Sequence, residues 1–75
     1  MTEQQKETFA RNLRIAAASA GFSQKELAAE LGTNQTTISR ICSGERTATL
    51  EIVLAAAKRF GTSVERLLNE SLADI

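Results

Sequence analysis

No histidine, proline, tryptophan or tyrosine occurs among the 75 residues, and Cys42 is the only cysteine. Those absences exclude a histidine general base, a Cys/His zinc site, a disulfide within the chain and a Cys–His nucleophile pair. No Gly-rich phosphate loop, GxSxG turn or paired-acid cleft pattern is present either. A carboxylate-only enzyme survives as a remote alternative, and no cofactor or metal is expected. The longest uncharged apolar run, residues 52–57, falls far short of the roughly 18 residues that a membrane span needs. With no basic-then-apolar leader at the N-terminus, the expectation is a cytoplasmic protein with Cys42 reduced. The 9 basic and 9 acidic residues balance to zero. That balance excludes a nonspecific polycation but not nucleic acid, since the face carrying the charge decides. At this length residues 1–75 make one small domain.

What is present is helical spacing punctuated by glycine. Gly21, Gly32, Gly44 and Gly61 fall between segments with helical apolar periodicity, so they read as helix stops. Residues 3–20 place Phe9, Leu13, Ala16 and Ala20 on one face of a first helix. Ser23 is the cap of a second helix, with Glu26 as its capping-box partner and Leu27, Ala28 and Leu31 on one stripe. Asn34 caps a third, in which Ile38 and Ile41 point inward. Thr49 caps a fourth with Leu50, Val53, Leu54, Ala57 and Phe60 inward. Ser63 begins a fifth, whose stripe of Val64, Leu67, Leu68 and Leu72 runs almost to the C-terminus. The expected class is all-α.

The informative stretch is QKELAAELGTNQTTISRICS, residues 24–43, where two short helices meet at Gly32. Leu27 and Leu31 are expected to face Ile38 and Ile41. Ala28 is small where the helices cross, and Gly32 can take a positive φ at the turn, where an added Cβ is expected to splay the pair. Left outward are Gln35, Thr36, Ser39 and Arg40. Taken alone these would be an ordinary solvated face.

The pattern is a helix-turn-helix, and the chain resembles the lambda-repressor/Cro-like, or XRE-type, family. The resemblance runs from about Phe9 to Leu68 and is carried by SQKELAAELG, TTISRICSG and TLEIVLAAAKRFGTSVERLL. Where many members have Val or Ile after the turn glycine this chain has Thr33, and where many have an acidic and a basic residue it has Cys42 and Ala17. The resemblance implies a compact five-helix domain that reads double-stranded DNA with its third helix. Gln35, Thr36, Ser39 and Arg40 would then face base edges, Gln35 suiting adenine, Arg40 guanine or a phosphate, and the Thr36 methyl thymine. Gln24, Thr37, Ser43, the Gly44 amide, Arg46 and Thr47 would grip phosphates, helped by free N–H groups at the start of the second helix.

Residues 8–46 carry Arg11, Arg14, Lys25, Arg40 and Arg46 against Glu26, Glu30 and Glu45, a surplus of two positive charges. The surplus is small, so affinity should lean on dimerisation. Arg11 and Arg14 are read as a solvated face and Cys42 as a small, partly buried apolar residue. Ile52, Ala56, Leu68, Leu72 and Ile75 are assigned to a homodimer interface, because so small a protein exposes apolar stripes at a cost. The expected function is a dimeric transcriptional regulator, a repressor, on a near-palindromic operator. The rival is an antitoxin or other protein-interaction module of the same fold, with a regulatory protein partner.

Overall fold

The computed structural model describes residues 1–74. The helices are α1 (Glu3–Ala20), α2 (Gln24–Glu30), α3 (Gln35–Cys42), α4 (Leu50–Arg59) and α5 (Val64–Asn69), followed by a 3-10 turn at Leu72–Asp74. Each start is fixed by a side chain that accepts an otherwise orphaned amide. Thr2, Ser23, Asn34, Thr49 and Ser63 all do this, and Thr2 and Ser23 form complete capping boxes with Gln5 and Glu26.

The helices enclose one apolar cluster in which Phe9, Leu13, Leu27, Ile38, Ile41, Val53 and Leu67 are almost wholly buried. α1 lies against α5 and the C-terminal turn, and α2 against α3. A helix of eight residues is marginal by itself in water, so the angle of α3 is set by what Ile38, Ile41 and Cys42 touch. Ala17 and Cys42 both lie in this cluster, so the packing at these two positions is apolar.

Four expectations need correcting. In α4, Ile52 and Ala56 are buried at 7% and 0% exposure, while Leu50 and Leu54 stand out at 69% and 51%. Ile52 and Ala56 therefore belong to the core of one chain and cannot form a two-fold interface. α4 is apolar nearly all round, so periodicity alone allows two stripes. The buried side joins Ile52 and Ala56 to Val53 and Ala57 of the expected face, and its two alanines let the helix approach its neighbours closely. Leu68 and Leu72, also assigned outward, are half-buried and packed against the same core. Ile75, the last interface candidate, lies outside the described residues.

α5 ends at Asn69, well before the C-terminus, because Asn12 redirects the chain. This fully buried side chain donates from Nδ2 to the carbonyls of Leu67 (2.9 Å) and Glu70 (2.7 Å) and accepts at Oδ1 from the Leu72 N–H (3.0 Å). Ala20 is exposed, beyond the reach of the core. Gly32 does take φ +73°, but a Cβ there would meet nothing within 4 Å. What glycine supplies at this turn is backbone freedom, not space.

Beside the α1–α2 turn, Phe22 and Phe60 pack at 6.4 Å between ring centres, and the Arg59 guanidinium lies 5.0 Å from the centre of the Phe22 ring. Arg59 also pairs with Glu30 at 3.2 Å, tying α4 to α2. The pair is half-exposed, so its packing on the rings outweighs its charge contact.

Candidate nucleic-acid interface

α3 is held from both ends. Asn34 Oδ1 accepts from the Thr37 N–H at 2.8 Å, and at the other end Arg14 of α1 donates to the carbonyl of Cys42. Arg14 is exposed, as expected, and also engages α3 through this contact. It satisfies a terminal carbonyl where the helix dipole favours a cation.

With one face held, the other is free. Gln35, Thr36, Ser39 and Arg40 are all exposed and line one shallow hollow of about 420 Å³. The structure therefore brings together the four residues expected to face bases, and it adds a fifth, Glu45, which the sequence reading had not placed there. Glu45 arrives because the turn after α3 folds back. The Arg40 carbonyl accepts from the N–H groups of Glu45 (2.9 Å) and Arg46 (3.2 Å) and from Ser43 Oγ (3.0 Å). Its carboxylate is an acceptor only, which suits a base amine and opposes a phosphate.

The expected phosphate contacts fare unevenly. Gln24, Ser43, Arg46 and Thr47 are exposed, and Thr37 is half-buried. The Gly44 amide is not available, since it donates to the Ile41 carbonyl at 3.1 Å with Gly44 at φ +83°. The start of α2 is also less open than expected. Ser23 Oγ accepts from the Glu26 N–H at 3.1 Å, and the Glu26 carboxylate accepts from the Ser23 N–H at 2.9 Å, leaving Gln24 and Lys25 to offer amides there. Those bonds from Ser23 hold the Glu26 carboxyl below its usual range. Burial pushes the Cys42 thiol up, against the opposing pull of Arg14. Among the described residues no group of acidic, Cys or His side chains is arranged to hold a metal ion, and no helix is long and apolar enough to cross a membrane.

Two short helices meeting at a glycine turn, the second with a polar outer face and a buried inner one, define a helix-turn-helix protein. The comparisons agree. A helix-turn-helix family model matches residues 11–67, and the chain belongs to that family, of the XRE type. It is a DNA-binding transcription regulator. No match occurs among curated proteins. Among solved structures, the hypothetical transcription factor NHTF from Neisseria is similar at 25% identity and TM-score 0.80, over 99% of this chain and 86% of that one. The SOS-response transcriptional repressor LexA from Eubacterium rectale is similar at 27% identity and TM-score 0.81, over 95% and 76%. The restriction-modification controller protein C.AhdI from Aeromonas hydrophila shares the fold at 24% identity and TM-score 0.72, over 83% and 94%.

Proposed function

We propose that this protein is a sequence-specific repressor that occupies a near-palindromic operator as a homodimer, with α3 in the major groove of each half-site. The observation that carries the reading is the division of α3: Ile38, Ile41 and Cys42 are buried while Gln35, Thr36, Ser39 and Arg40 are exposed together. A helix is about 10–12 Å across with its side chains and the major groove about 12 Å wide, so such a face reaches base edges.

Gln35 reads adenine through paired hydrogen bonds, Arg40 reads guanine, and the Thr36 methyl meets thymine. Ser39 donates or accepts as the base requires. Gln24, Thr37, Ser43, Arg46 and Thr47 hold phosphates on either side and set the register without reading sequence. Two copies on a two-fold axis place their reading helices about 34 Å apart, one helical turn of DNA. Repression follows from occupancy of a promoter, and likeness to a repressor at 27% identity supports that outcome over activation. The protein works where that DNA lies, in a bacterial cytoplasm, as one domain.

Selection of bound sites from random duplexes, followed by footprinting, tests the reading. A two-fold-symmetric consensus with half-sites one turn apart is expected. Recovery of no consensus, with retention of a protein partner instead, favours the interaction-module reading.

A further inference from the structure

We infer that two copies of this chain pair through α4, laid antiparallel about a two-fold axis, with Leu54 at the centre and Glu51 of each copy against Lys58 of the other. The inference rests on the dimer proposed above and takes the place of the Ile52 and Ala56 surface, which lies in the core.

Leu50 and Leu54 are, with Met1, the large apolar side chains that the described residues leave exposed. They sit one turn apart on the side of α4 opposite Ile52 and Ala56. Glu51 and Lys58 flank Leu54 on this outer face, seven residues apart in sequence, and neither appears in an ion pair within the described chain. Seven residues span two turns, about 10.5 Å. A negative group near the N-terminal end and a positive one near the C-terminal end make this face complementary to a reversed copy of itself. A parallel copy would set like charges together.

The register agrees with the charge. An axis between Leu54 and Ala55 sets residue 51 opposite 58. The face begins three residues after Thr47, within about 10 Å of chain, so pairing draws the two phosphate-holding loops toward the axis. A stripe of this size belongs at the low end of the roughly 1,200–2,000 Å² typical of stable interfaces, so pairing should depend on concentration.

Sedimentation equilibrium on the full chain over a concentration series tests this, using wild type, E51K, K58E, an equimolar mixture of those two variants, and Leu54→Asp. All substituted positions are exposed, and circular dichroism confirms folding. Wild type is expected to dimerise, each charge reversal to weaken pairing at least tenfold, and the mixture to recover it, because the mixed complex holds two attractive pairs. Leu54→Asp is expected to stay monomeric. If every variant pairs like wild type, or mixing restores nothing, this surface is wrong and the dimer stands on another. If wild type remains monomeric throughout, the proposed dimer fails and this inference with it.

Discussion

The Arg14 side chain of α1 donates to the backbone carbonyl of Cys42, the last residue of α3, so the longest helix holds the end of α3 directly. The contact places a positive charge where α3 has orphan carbonyls and a negative dipole end. Arg14→Ala should lower stability by about 1–2 kcal/mol, read in urea unfolding, and weaken DNA binding evenly across sequences. It should also raise the Cys42 thiol further, since Arg14 is the group that opposes its desolvation. The ultraviolet absorbance of the Cys42 thiolate, followed against pH in folded wild type and variant, checks the second effect.

The outer face of α3 and the loop beyond it should separate in their consequences. Arg40→Ala or Gln35→Ala should cost about 1–3 kcal/mol on the selected site and relax preference at one base pair. Arg46→Ala should weaken all duplexes alike and reduce the salt slope by about one. Gel shifts on matched and scrambled sites at several salt concentrations distinguish the two. Equal weakening on every duplex by Gln35→Ala would remove it from the base-reading set.

Asn12 is expected to be the most sensitive polar position. Replacing it by Ala strands the Leu67 and Glu70 carbonyls and the Leu72 N–H, and a buried unsatisfied group costs about 1–3 kcal/mol. In a domain of this size each kcal/mol moves Tm by about 4–8 °C. Asn12→Leu should fare no better, because filling the space leaves the same backbone groups without partners. A Tm unchanged by both substitutions would show that water replaces Asn12 without cost.

The capping box of α2 makes a pH prediction. Bonds from Ser23 depress the Glu26 carboxyl in the folded state, so its contribution is present above the ordinary value of 4.5 and is lost as pH falls through the lower folded value. Glu26→Gln keeps an acceptor for the Ser23 N–H but cannot titrate. Stability curves of wild type and variant should therefore converge as the medium is acidified. Curves that stay parallel across that range count against the assignment.

Much of this architecture was readable from residue types because the signals are local. Ser23, Asn34, Thr49 and Ser63 are oxygen-bearing residues three before the amide they accept, and all four act as caps. Gln35, Thr36, Ser39 and Arg40 share a face because the helical period puts them there. What escaped depends on distance along the chain or on competition. Asn12 satisfies carbonyls 55 and 58 residues away, which no window detects. α4 is turned so that Val53 and Ala57 are buried as the period indicates, while Ile52 and Ala56 take the inward places that Leu50 and Leu54 also fitted. Glu45 reached the hollow on the outer face of α3 through a reversal of the chain after Gly44, and Arg14 reached Cys42 across 28 residues.

None of the four side chains on the outer side of α3 takes part in the apolar cluster, and the residues that orient the helix all lie on its other side or on its neighbours. Lettering and frame are thus separable. On the proposed reading, exchanging Gln35, Thr36, Ser39 and Arg40 as a set for those of another regulator should redirect the protein to a different operator while its melting behaviour stays that of the parent.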